Sequence, residues 1–143
     1  MKLSEATKKG ILELQSLYPE KRSALIPALH LAQKERGYLP PCFQDEIAAL
    51  FEISPNEVHS LVTFYDMFHE EPVGKHVIHL CKNVSCMLRG SDEIMKALSE
   101  HLNIDPHGTS KDQEFTLIPS ECLGACDRAP MMILDDQVVG PLC

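Results

Sequence analysis

Two cysteine doublets constrain this chain more than any other feature. Cys81 and Cys86 frame C-K-N-V-S-C, Cys122 and Cys126 frame C-L-G-A-C, and thirty-five residues separate the pairs. Each doublet follows an apolar, strand-like run: His76-Val77-Ile78-His79-Leu80 before the first, Phe115-Thr116-Leu117-Ile118 before the second. Two strand-end loops can therefore deliver four thiols, and they converge only if the two strands are neighbours in one sheet. Convergent thiolates suit a soft metal centre, an iron–sulfur cluster or zinc. Structural zinc often sits in C-x2-C knuckles, a form neither doublet has. A 2Fe-2S cluster takes two ligands on each iron and accepts wider, unequal loops. Zinc tolerates up to four intervening residues, so a zinc-stabilised interaction module without redox activity stands as the alternative reading.

The surrounding residues carry a resemblance. C-x4-C-x2-R-G followed by E-C-L-G-A-C-x2-A-P is similar to the thioredoxin-like 2Fe-2S subunit of NADH-quinone oxidoreductase, the E-subunit family, with relatives in NAD-linked hydrogenases and formate dehydrogenases. The likeness continues upstream through Leu29–Leu39 and Val62–Phe68, and spans roughly residues 11–140. It implies cluster ligation by Cys81, Cys86, Cys122 and Cys126. It also implies an electron-transfer role inside a larger oxidoreductase complex, beside a flavoprotein that binds FMN and NADH. The implied fold class is α+β: an N-terminal helical bundle, residues 1–72, then a thioredoxin-like α/β domain, residues 73–143. Family members usually add a helix after the last hairpin, whereas this sequence stops at Cys143.

Other functions meet obstacles in the sequence. No G-x-G-x-x-G follows a strand, so NADH binding falls to the partner. A thioredoxin-type dithiol enzyme needs C-x2-C, which is absent. A Rieske centre needs a histidine close after each ligand cysteine, and neither doublet has one. Net charge is −8, divided evenly: 7 Lys and Arg against 11 Asp and Glu before Val73, and 6 against 10 from there on. Neither half offers the positive face that nucleic acid or an anionic bilayer requires. The longest apolar run falls well short of the roughly 20 residues of a membrane span, and Met1–Lys8 has no signal-peptide core. Six cysteines without a secretion signal favour metal ligation over disulfides and a cytoplasmic location, peripheral to the inner membrane through the complex.

Periodicity supports four N-terminal helices: residues 4–17 capped by Ser4, a second from about Ser23 to Arg36 closed by Gly37, a third over Phe43–Phe51, and a fourth opened by Ser54-Pro55-Asn56-Glu57. Pro27 places the second helix start nearby or kinks that helix. Glu70–Gly74 reads as the boundary. Beyond it come a strand at His76–Leu80, a helix over Ser91–Leu102, a polar loop from Pro106 to Asp112, a strand at Glu114–Ile118, and a hairpin of Met131–Leu134 with Gln137–Val139.

Several further residues draw expectations. Gly124 suits a positive φ in the second ligand loop. Pro130 stands where thioredoxin-like folds often carry a cis proline, against a low general base rate. Lys82, Arg89 and Arg128 lie near ligands in sequence; Arg89, in the R-G motif, has the strongest claim to a fixed role, and the other two read as surface charge. His76 and His79 read as strand-face and packed side chains rather than ligands. The run Phe64-Tyr65-Asp66-Met67-Phe68 reads as internal core, with partner contact as its second use. Cys42 and Cys143 lie outside the doublets.

Overall fold

The computed structural model describes residues 2–142, so Cys143 lies outside the described residues. The chain divides into two compact units, 1–72 and 73–143.

The first unit is helical: α1 (Glu5–Ser16), α2 (Leu25–Arg36), α3 (Pro41–Phe51) and α4 (Pro55–Phe64), with a 3-10 turn at Lys21–Ala24 leading into α2. Ser4 caps α1 by accepting from the Thr7 N–H at 3.2 Å. The Ser4 N–H and hydroxyl reach on to Glu35 of α2, and this tie fixes how α1 leaves its cap. Hydrogen bonds to the Glu35 carboxylate, first from Thr7 and then from Ser4, hold its pKa below the ordinary carboxylate range. Pro27 neither kinks nor breaks α2, because it occupies the first turn, where its missing N–H has no partner to lose. Gly37 ends α2 at φ 85°, in the left-handed region. Ser54 and Glu57 form the reciprocal capping box of α4, with Pro55 at the first helical position. Ile11, Leu29, Leu39, Phe43, Ile47, Val58 and Val62 fill the core between these helices. Each such side chain, fully withdrawn from water, contributes about 1.5–3 kcal/mol. The aromatic run splits: Phe68 is buried and Tyr65 packs half-buried against the core, whereas Phe64 is 75% exposed.

The second unit is a five-stranded sheet in the order β2-β3-β1-β4-β5. Its strands are β1 (His76–Cys81), β2 (Gly108–Thr109), β3 (Phe115–Ser120), β4 (Met132–Leu134) and β5 (Gln137–Val139). Central β1 runs parallel to β3, with His76 opposite Phe115 and Cys81 opposite Ser120. It runs antiparallel to β4, which forms a hairpin with β5. Two helices, α5 (Val84–Leu88) and α6 (Ser91–Leu102), lie in the crossover from β1 towards β3. The amphipathic α6 lays Met95, Leu98 and Leu102 against buried Ile78, Ile104 and Leu117. The helical bundle followed by a mixed, open sheet is the expected α+β architecture.

Three details depart from the expectations drawn from the sequence. The five-residue α5 lies within the first ligand loop, where no helix is expected. The polar stretch that reads as loop contains β2, whose Thr109 hydroxyl lies 2.8 Å from that of Thr116. β3 runs two residues further than expected, to Ser120, and so reaches almost to the second doublet.

Candidate metal centre

Parallel pairing of β1 with β3 sets the site. Cys81 is the last residue of β1 and Ser120, its register partner, the last of β3, so both ligand loops leave the same end of the sheet side by side. The Lys82 N–H donates to the Ser120 carbonyl at 3.0 Å, one residue beyond the end of β1. Within the first loop, Asn83 accepts the Val84 N–H at 3.0 Å and starts α5. This helical turn carries Cys86 back under the loop; Cys86 is 1% exposed and Cys81 3%. Both pack with Ala129 and Met131, and half-buried Leu123 and Ala125 of the second loop join them. The Cys81 N–H donates to the Met131 carbonyl at 3.2 Å.

The Cys86 thiol shows how close the groups lie. Burial pushes its pKa up, and the neighbouring Cys81 thiol adds to the effect. The Met131 N–H acts in the opposite sense, and negative charge at Cys126 raises it further, which places the two doublets within each other's field. In the second loop Cys122 and Cys126 are exposed, with their sulfurs 4.0 Å apart. Two thiolates on one tetrahedral metal, at a metal–sulfur distance of roughly 2.3 Å, stand about 3.8 Å apart, so this pair is already at ligand spacing. Gly124 turns the loop at φ 83°, as expected, and no heavy atom lies within 4 Å of where a Cβ would sit. Conformation, not crowding, therefore makes glycine suitable there.

Among the described residues no three or more His, Cys, Asp or Glu side chains are grouped to hold a single metal ion. The four thiols stand as two pairs, Cys81 and Cys86 buried in one cluster and Cys122 and Cys126 exposed and close together, a donor set that suits a centre with two ligands on each of two metals.

The other singled-out residues divide. The Ala129–Pro130 bond is cis, and so is Gly140–Pro141, which nothing in the sequence marks. Arg89 ends α5 through its backbone, but its side chain is exposed and has no ion-pair partner among the described residues. Lys82 reaches across to Glu121 at 3.7 Å, while Arg128 pairs with Asp127 in its own loop at 3.9 Å. His79 lies 3.0 Å from the Ser120 hydroxyl, and His76 lies 2.9 Å from Asp135, away from the cysteine end of β1. Cys42 packs half-buried against the helical core. Sequence reasoning misses α5 and the contacts of Glu121; an N-capping Asn83 before V-S-C-M-L is the available signal for the first, and nothing marks the second.

Comparison with known proteins agrees with the geometry. Residues 11–143 match the family described as "Thioredoxin-like [2Fe-2S] ferredoxin". The second NADH-quinone oxidoreductase E-subunit of Rhizobium meliloti (strain 1021) is 46% identical over 125 residues, 87% of this chain and 74% of that protein. The corresponding E-subunit of Escherichia coli (strain K12) is 39% identical over 135 residues, 94% of this chain and 81% of that one. Among solved structures, an NAD+-reducing [NiFe]-hydrogenase in the H2-reduced state superposes with a TM-score of 0.70 at 24% identity, over 83% of this chain and 20% of the hydrogenase chain; this likeness concerns the fold. A ferredoxin family leaves the zinc module without support, and the cofactor is a 2Fe-2S cluster. The chain belongs to the thioredoxin-like [2Fe-2S] ferredoxin family, among the E-subunits of NADH-quinone oxidoreductases.

Proposed function

We propose that this chain is the electron-transfer subunit of an NADH-oxidising complex and that Cys81, Cys86, Cys122 and Cys126 hold its 2Fe-2S cluster. The observation that carries this is the delivery of two thiol pairs, one buried and one with its sulfurs 4.0 Å apart, from the ends of neighbouring parallel strands to one end of one sheet. When bound, the cluster takes up and releases single electrons. The protein contributes position, burial and electrostatics. The buried pair on β1 and α5 anchors one side of the centre and keeps water from it. The exposed pair forms the side a partner can approach. The Met131 carbonyl, which accepts the Cys81 N–H at 3.2 Å, ties β4 to the residue that would hold one side of the cluster. Each thiol gives up its proton on ligation, and burial of Cys86, which favours its protonated form, opposes this step.

The domain carrying this site is residues 73–143, with residues 1–72 as a helical accessory domain. The partner is a flavoprotein subunit that binds FMN and NADH within a larger oxidoreductase complex. The location is cytoplasmic, peripheral to the inner membrane through that complex. Among the described residues no helix is long and apolar enough to cross a membrane.

The test is reduction in parts. The isolated chain with NADH should keep its oxidised visible spectrum, and adding the flavoprotein subunit should bleach it. NADH turnover by the isolated, flavin-free chain, or no bleaching in the reconstituted pair, would contradict the assignment.

A further inference from the structure

We propose that Glu121 is a positioning residue for the cluster, acting as a strap that locks the second ligand loop to the first. Glu121 directly precedes Cys122, and both its carboxylate oxygens reach residues that directly follow Cys81. Oε2 accepts from Asn83 Nδ2 at 3.1 Å, and Oε1 lies 3.7 Å from Lys82 Nζ. Asn83 works in two directions: its Oδ1 accepts the Val84 N–H that starts α5, and its amide nitrogen donates across the gap to Glu121. One side chain thus couples the helical turn carrying Cys86 to the loop carrying Cys122 and Cys126. The backbone bond from Lys82 to Ser120 fixes the strand ends, and the Glu121 contacts extend that tie outward into the loops themselves. The strap supplies this link before any cluster is present.

The strap also sets the charge at this edge. Of the three cations near ligands in sequence, Lys82 is the one that pairs across the loops, and Glu121 offsets it there. The Lys82 and Glu121 side chains are largely exposed, so the pair is screened and its effect modest.

The inference rests on the proposed ligand set, and two readouts separate strap from charge. One is the rate at which a chelator removes the cluster, followed by visible absorbance; the other is the midpoint potential. Glu121→Gln keeps an oxygen for Asn83 and loses the charge. It should lose the cluster at the wild-type rate but show a higher potential, with the shift shrinking as salt rises. Glu121→Ala should raise the potential in the same sense and also lose the cluster roughly two- to fivefold faster, the size expected for one exposed hydrogen bond between the loops. Asn83→Asp keeps the α5 cap but sets two carboxylates face to face, so it too should lose the cluster faster. Adding Glu121→Gln to it restores a donor–acceptor pair in the reverse direction and should return the rate towards wild type. One common rate and one common potential across coloured variants would overturn the strap alone. A wild-type chain that takes up no iron would overturn the ligand set with it.

Discussion

The four proposed ligand cysteines are unequal, and their inequality predicts how substitutions behave. Cys122 and Cys126 are exposed in a turn, so Cys122→Ser should remove or reshape the visible spectrum while the fold, read by far-ultraviolet circular dichroism, stays intact. Cys42→Ser should leave the spectrum unchanged, since Cys42 packs against the helical core of the first unit. A spectrum lost with Cys42 would show that the ligand set is wrong. Two glycines offer a second contrast at this scale. Gly124→Ala meets no atom and should cost about 1 kcal/mol from its positive φ alone. At Gly140 a Cβ would lie 2.6 Å from the Arg128 carbonyl oxygen and 2.9 Å from the Met131 Cβ. Gly140→Ala should therefore lower the denaturation midpoint more than Gly124→Ala; equal midpoints would contradict the packing at that corner.

At the scale of elements, the hairpin of β4 and β5 is fastened to β1 at the end away from the cysteines. Asp135, at the hairpin turn, accepts the Val77 N–H at 3.0 Å and stands 2.9 Å from His76 Nδ1. These partners, His76 first, hold the Asp135 pKa below its ordinary value. A depressed carboxylate pKa stabilises the fold above the unfolded-state pKa, near 4, and the contribution is lost as pH falls through the lower folded value. Partial exposure keeps it well under about 1 kcal/mol. The difference in urea midpoint between wild type and Asp135→Asn should accordingly be present at pH 6 and shrink in acid below about pH 4; a difference that grows in acid would contradict the fastening.

Legibility in the sequence follows element length and local chemistry. The capping box of α4 and the long amphipathic helices are readable because several signals agree over ten or more residues. β1 and β3 are readable from their apolar runs. A five-residue helix such as α5 is too short to show a period, and two-residue β2 exists only through its pairing with β3. The doublets disclose the ligand types, but which pair is buried depends on Met131 and Ala129, dozens of positions from Cys81. Glu121 is silent for the same reason: its partners are thirty-eight and thirty-nine residues away.

For the whole molecule, an acidic chain carries a 2Fe-2S cluster, and the site proposed for it lies at one end of a sheet. All-thiolate ligation together with the net charge of −8 disfavours added negative charge, so the potential should lie on the order of −300 to −400 mV, in the all-cysteine range rather than the Rieske range. A midpoint near zero in protein-film voltammetry would contradict ligation by four thiolates. The central claim is the cluster itself, and elemental analysis of the anaerobically purified chain tests it most directly. The expected result is a red-brown protein with about two irons and about two acid-labile sulfides per chain. A colourless protein with one zinc and no iron would contradict it.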